Sequence, residues 1–431
     1  MCNDRRVFAE ADGKTFGGAV TKRSPVGITR SAAKRVTVAV VAALVLGLLA
    51  ACGASSSGSG AGTSSTATPP ASAGATSAVV AQAKAAIAKY YTAMDATGKP
   101  TSTPKPKPNQ SIWVISCDQT LTGCSLPAES IKKAAAVLGW KVTIFDGHSN
   151  PAEYATGVSE ATAAHANAIV LDSTDCNFAK APLEQAKKQH ILIYGYDVID
   201  CSDPGEGGGP HLVDYTGLPT GYGTYPQFIR DWGKLKADYV IAATNGHANV
   251  ITWSEKDILS INYEGQAIKA ELDKCSGCKQ VANVDFTLAD FANNGVFQKF
   301  QTALAQHPEA NATATLYDVT IIAAVAPALK AAGRTGNFVV AGGEGYPPDL
   351  DLIRTGGGQA SAFAIDISDV GYPTVDVLNR LLDGKPPVDE HVGILLIDKQ
   401  HNLSQIHGYY NGFFPYAAYY TKLWKLAEAG Q

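Results

Sequence analysis

The residues of this chain best suited to chemistry are its eight cysteines. Cys275-Ser276-Gly277-Cys278 has the C-x-x-C spacing of a redox pair. A reactive thiol needs a helix N-terminus or a nearby cation to lower its pKa. This pair instead follows a predicted helix over 263–274, so it reads as a structural staple. Zinc would need four grouped ligands, and the linear spacing offers none. Cys117, Cys124, Cys176, Cys201, Cys275 and Cys278 form an even set, which reads as disulfides in an exported chain. Sequence neighbours are the expected pairs: Cys117–Cys124, Cys176–Cys201 and Cys275–Cys278. Spacing alone leaves other connectivities open. Ser130-Ile131-Lys132-Lys133 fits S-x-x-K, but neither Lys-Thr-Gly nor Ser-Asp-Asn accompanies it. The chain lacks G-x-S-x-G, H-E-x-x-H and a P-loop. His401 and His407 have the wrong separation for one helical face. The glycine-rich run 205–209 opens no helix, so it makes no phosphate cradle. No catalytic residue, metal or cofactor is expected.

Cys52 is a different case. Lys34-Arg35 precedes the apolar run 36–51, which ends Leu49-Ala50-Ala51 before the cysteine. Basic, then apolar, then small residues is the layout of a secretory leader. Leu-Ala-Ala-Cys resembles a bacterial lipobox, which implies lipidation of Cys52 and removal of 1–51. A transmembrane anchor is the alternative, but the run is shorter than the ~20 residues a spanning helix needs.

Formal net charge is −4, and loss of the basic leader leaves the mature chain more acidic. That composition, without a basic cluster, argues against nucleic-acid binding. The mature length exceeds one ordinary domain and suggests two. Residues 53–77 are rich in Gly, Ser, Ala and Thr and form a tether that cannot bury enough apolar surface to fold. A helix is predicted over 78–96 and an extended, proline-rich segment over 99–108.

From residue 111 onward strands and helices alternate. Strands are predicted at 112–116, 141–145, 168–171 and 190–194, with helices at 128–138, 151–165 and 179–189. The rhythm then repeats. Helices fall at 225–244, 263–274, 295–306, 320–332 and 370–382, with strands at 250–253, 280–284, 313–316, 338–341 and 360–365. Such alternation argues for α/β architecture with parallel sheets. Two such units suggest two lobes with a cleft, and ligands of open α/β sheets sit at the carboxyl ends of strands. Asp118, Gln119 and Thr120 follow the first strand and are candidates to line that cleft. Asp172 and Asp175 follow the third. Trp232 and Trp253 read as core. The aromatic segment 409–420 is expected to pack on a lobe.

Several segments in this order resemble the type I periplasmic substrate-binding proteins of ABC importers, the ribose-binding-like group. They are Leu138-Gly139-Trp140-Lys141-Val142, Asn150-Pro151-Ala152-Glu153 and Ile193-Tyr194-Gly195-Tyr196-Asp197. Phe291 with the helix to His307-Pro308, the turn 340–345 (Val-Ala-Gly-Gly-Glu-Gly) and the run 362–366 (Ala-Phe-Ala-Ile-Asp) complete the set. The resemblance implies two Rossmann-like lobes joined by three crossovers. It implies a first lobe of 111–217 with 367–396, a second of 218–366 with 397–431, and a leading region of 52–110. Such lobes close on a small polar solute, usually a sugar or polyol, and dock on a permease with its ATPase. The protein would be a monomer, outside the cytoplasmic membrane and held there through Cys52.

Carried over singly, the family's ligand positions fall on Asp197, Asn262, Phe291, Asp318, Glu344 and Asp366. Asn262 stands where an arginine is usual, and so does Val198. The usual first-loop aromatics are replaced among Thr122, Gly123 and Cys124. Carboxylates therefore survive without their arginines, and several cannot all stay ionised in a low-dielectric cleft unless something neutralises them. A cationic amine or amino sugar is one answer; protonation or an unplaced lysine is another. A receptor feeding a sensor, or an exported enzyme on the same fold, are the other function classes.

Overall fold

Short apolar runs separated by amphipathic segments build two twisted sheets in the computed structural model, which describes residues 71–92, 98–219 and 221–430. The leader, Cys52 and the tether lie outside the described residues. The first sheet holds β1 Ser111–Ser116, β2 Lys141–Asp146, β3 Ala168–Asp172, β4 Leu192–Tyr196 and β5 Tyr215–Gly217. Its order is β2-β1-β3-β4-β5, and every pair is parallel. Period-two alternation sends Ile112 and Val114 to one face, against Ala128 and Ile131 of α2 Thr122–Val137. Ile115 and Ile169 face the other way, against Val158 of α3 Pro151–Ala163 and Leu183 of α4 Lys180–Lys188. Both faces are covered, which is why these strands read as unbroken apolar runs.

The second sheet has the order β11-β10-β9-β8-β6-β7. Its strands are β6 Asn249–Glu255, β7 Lys279–Phe286, β8 Ala312–Ala314, β9 Val339–Ala341, β10 Ser361–Ile365 and β11 Ile394–Asp398. Only β11 runs antiparallel, along β10. On one face α5 Tyr225–Ala243, packed beside α6 Leu259–Leu272, sets Trp232 and Tyr239 against Phe363; on the other, Phe300 of α8 Gly295–Gln306, which follows the single turn α7 Ala289–Ala292, stacks on Trp253. A further helix starts as α9 Asp318–Thr320, widens to a π turn at Ile321–Val325 and continues as α10 Ala326–Ala331. Leu350 and Ile353 of α11 Pro347–Thr355 join Ala362, Ala364, Leu395 and Ile397 in a smaller core. At the N-terminal side α1 Ala71–Ala88 packs Ala83 and Ile87 into the α5 core.

The chain crosses between lobes from β5 to α5, from β10 to α12 Gly371–Leu382, and from α12 back to β11. A parallel bridge between Pro219 and Val392 ties two of these crossovers. A further passage leads from β11 to α13 Tyr416–Glu428. This corrects the assignment of all of 397–431 to the second lobe. Tyr416, Tyr420 and Trp424 recur every fourth residue on one face of α13 and enter the first lobe's core beside Val375 and Leu378 of α12.

A buried polar network holds this region. Asp376 accepts from Arg380 Nε at 2.8 Å, Trp424 Nε1 at 2.8 Å and the Thr103 hydroxyl at 2.6 Å. Lys99 donates to the His391 carbonyl at 2.6 Å and to the Tyr416 hydroxyl at 2.8 Å. The proline-rich segment is thus a strap over α12, α13 and the third crossover. Three disulfides, Cys117–Cys124, Cys176–Cys201 and Cys275–Cys278, have Cα separations of 5.6, 5.1 and 5.2 Å, inside the usual range. Among the described residues no helix is long and apolar enough to cross a membrane.

Replacing Asp376 by Ala leaves the Arg380 guanidinium buried without its closest carboxylate. Denaturant titration is expected to show a loss of about 3 kcal/mol, the scale for breaking a buried pair by removing one partner. A loss below ~1 kcal/mol would mean the network is not structural.

Candidate ligand cleft between the lobes

The carboxyl ends of parallel strands from both sheets meet along one line. In the first lobe β3 ends on Asp172, and Tyr196 at the end of β4 leads into Asp197, whose φ of 53° turns the chain out of the sheet. From the second lobe, the segment after β8 brings Tyr317 and Asp318, and the turn after β9 brings Glu344 and Tyr346. That turn depends on glycine. Gly343 and Gly345 have φ of 92° and 89°. A Cβ on Gly343 would lie 2.3 Å from an Asp349 carboxylate oxygen, and one on Gly345 2.7 Å from the Ala364 methyl. So constrained, the Glu344 amide donates to Asp318 Oδ2 at 2.7 Å, and the Tyr346 hydroxyl donates to the Glu344 carboxylate. The first lobe presses directly on this turn, for a Cβ on Gly123 would lie 2.4 Å from the Tyr346 hydroxyl.

Enclosure dominates the electrostatics. Burial pushes Asp197 up to about 8, with the charges of Glu344 and Asp175 adding to the shift. Burial raises Asp172 well above the usual carboxylate range; the Ser116 hydroxyl opposes the rise and Asp197 adds to it. Glu344 is raised by burial too, against the Tyr346 hydroxyl and the Lys236 charge. Lys236 is fully buried, ion-paired with Glu264, and donates to the Leu316 carbonyl at 2.7 Å. This compensating lysine escaped the sequence reading. Its signal is there in α5, where it lies four residues after Trp232 on the buried side of the helix.

A second set of contacts latches the lobes. Asp175 Oδ2 accepts from the Ser260 amide at 3.0 Å and its hydroxyl at 3.1 Å, at the positive N-terminal end of α6. The Tyr263 hydroxyl donates to Asp203 at 2.5 Å, while the Arg230 guanidinium lies 3.6 Å over the Tyr263 ring. Asp175 and Asp203 flank the Cys176–Cys201 disulfide, which joins the loops after β3 and β4. The structure is therefore the closed arrangement of the lobes.

The residues singled out from the sequence divide. Asp197, Asp318 and Glu344 come together at the strand ends. Asp118 is tied locally to the Thr120 amide and hydroxyl and to Ser149, and these bonds outweigh its burial and lower its pKa. Gln119 donates to the Ser116 hydroxyl at 2.7 Å, and Thr120 is exposed. Asn262 turns back to the Glu255 carbonyl at 2.9 Å. The Phe291 ring packs on Phe286 and Tyr317. Asp366 accepts from Ser368 and Asp369 just before α12, at the second crossover. Ser130, of the S-x-x-K match, is buried and accepts the Gly371 amide, so it joins α2 to α12.

Two doubly wound lobes with strand ends facing across a line of crossovers define a two-lobed binding protein of type I. The chain belongs to the periplasmic binding protein domain family, which it matches over residues 112–386. No curated protein sequence matches it. Solved structures share the fold. A solute-binding protein of an ABC transporter from Agrobacterium vitis, bound with alpha-D-tagatopyranose, superposes with a TM-score of 0.58 at 18% identity, over 68% of this chain and 95% of that one. A 5-methylthioribose transporter solute-binding protein from Thermotoga lettingae gives 0.58 at 17%, over 75% and 99%. One from Burkholderia graminis, in complex with D-arabinose, gives 0.56 at 18%, over 70% and 98%.

Two outcomes follow. Asp197 and Asp349 are raised to about 8, and Glu264 and Asp366 to about 7, chiefly by burial. Each binds its proton more tightly folded than unfolded. Its stabilisation is complete below about pH 4 and is lost as pH rises through 7 to 8. Calorimetry on the unliganded protein is expected to show Tm falling from about pH 5.5 to about pH 8.5, with a shallower slope in Asp197→Asn. A Tm that rises across that range would contradict these shifts. Tyr263→Phe removes one latch bond and keeps the ring on Arg230. Solute affinity is expected to weaken by at least about 10-fold, the scale of one hydrogen bond to a charged group; unchanged affinity would mean that the contact does not favour closure.

Proposed function

We propose that this protein is the extracytoplasmic receptor of an ABC importer, lipid-anchored through Cys52, that captures a sugar or polyol between its lobes and hands it unchanged to a permease and its ATPase. The observation that carries this reading is the enclosed polar line where the strand ends of both lobes meet, in a chain that belongs to the periplasmic binding protein family. Sugars and their derivatives occupy the structurally similar proteins from Agrobacterium vitis, Thermotoga lettingae and Burkholderia graminis.

In this mechanism the open form exposes the strand ends to water. A solute that bonds to Asp197 of one lobe and to Asp318 or Glu344 of the other has more contacts in the closed form than in the open one. That difference in affinity shifts the population. The Asp175–Ser260 and Asp203–Tyr263 contacts add to the closed state, and the crossovers near Pro219, Asp366 and Val392 carry the hinge. A closed body then offers the permease a surface the open body lacks.

Thermal-shift screening of sugars and polyols tests the reading, because a ligand that binds only the folded state raises Tm. At least one compound at about 100 times its Kd is expected to stabilise by ~2.7 kcal/mol. Glu344→Gln is expected to abolish the shift at the same concentration. No stabilisation by any sugar, polyol or amino derivative would overturn the proposal.

A further inference from the structure

We infer that the solute held in this cleft carries a positive charge, as an amino sugar or aminopolyol whose ammonium group sits among Asp172, Asp197 and Asp318. The inference deepens the proposed function and rests on it. Asp172 has no exposed surface, and neither of its carboxylate oxygens has a well-formed hydrogen bond. The hydroxyl that acts on it, that of Ser116, also donates to the Cys124 carbonyl at 3.2 Å. Asp318 is 1% exposed; its Oδ2 accepts the Glu344 amide, and its Oδ1 is without a donor. A buried carboxylate without a donor is expensive, and these two, at strand ends of the facing lobes, each call for an incoming donor.

Charge sharpens the demand. Asp172 and Asp197, and Asp197 and Glu344 across the lobe boundary, oppose one another's ionisation, and a cation entering among them would release their protons and leave carboxylates opposite it. Among the described residues the cation that acts on Glu344 is Lys236, and it is already committed to Glu264 and the Leu316 carbonyl. A neutral polyol would bring donors but leave the carboxyls protonated and give the site no reason to gather so many of them. An ammonium group brings three donors and one positive charge in a compact head. A bare metal ion fits poorly: among the described residues no three carboxylate, imidazole or thiolate side chains converge closely enough to hold one.

Isothermal titration calorimetry on the protein with matched pairs tests this. The probes are D-glucosamine, D-galactosamine and 1-amino-1-deoxy-D-glucitol, each against its hydroxyl counterpart D-glucose, D-galactose or D-glucitol. The expected result is that the amine member of the best pair binds at least ~30-fold more tightly, the scale of one buried charge pair. Asp172→Asn is expected to cut that preference by about 10-fold while leaving the circular dichroism spectrum unchanged. Should Asp172→Asn not fold, Asp318→Asn asks the same of the opposite lobe, and the wild-type comparison needs no variant. A hydroxyl member that binds more tightly than its amine overturns the charge inference and leaves solute capture standing. Silence from all six probes counts against the inference, and silence from a wider neutral panel as well counts against solute capture itself.

Discussion

Asp197 of the first lobe and Glu344 of the second face one another across the line where the lobes meet, and enclosure makes both reluctant to ionise. A protein buries like charges only where another requirement outweighs the cost. Here that requirement is access to both lobes at once. Ligands of open α/β sheets bind outside the carboxyl ends of the strands, and the polar groups Asp172, Asp197, Asp318 and Glu344 lie there. Closing two such edges on each other removes the water that made those groups tolerable. In the proposed mechanism a solute that supplies donors restores the balance, so that closure and binding become one event.

The remaining architecture holds that edge in place. A glycine-dependent turn fixes the Glu344 amide on Asp318 and seats Tyr346 beneath Gly123 of the other lobe. The Cys176–Cys201 bridge joins the two first-lobe loops that carry Asp175 and Asp203, so the latch on α6 is presented as a unit. Away from the cleft, the strap at 98–108 binds α12, α13 and the third crossover through Lys99, Thr103 and Asp376. The N-terminal region is therefore held by both lobes, α1 by the α5 core of the second and the strap by α12 and α13 of the first.

Much of this was legible in the sequence because its causes are local. Alternating apolar runs and amphipathic helices carry their own period, and two rounds of it make two sheets. Cysteines near one another in sequence paired, since loops after adjacent parallel strands lie side by side. Asp197, Asp318 and Glu344 stand at strand ends, where position alone implies a cleft. What was missed depends on packing at a distance. Lys236 looks like one more helical lysine until the second sheet closes over it. Asp175 and Tyr263 bond across lobes, and no local pattern reports that. Asn262 and Phe291 sit near the right elements but turn to the Glu255 carbonyl and the Phe286 ring. The strand β11 was not among those read from the sequence, though its apolar run 394–397 is there, and only pairing shows that it runs antiparallel. The side of the molecule that α13 joins is set by aromatic stacking on α12, a tertiary choice.

The central claim is that a solute draws the two lobes together. Spin labels on exposed helical positions, one at Lys188 of α4 and one at Gln301 of α8, report that separation by double electron–electron resonance. With a solute found to bind, the account predicts a broad distance distribution that narrows and shortens to the value of the closed structure. A distribution identical with and without saturating solute would contradict it.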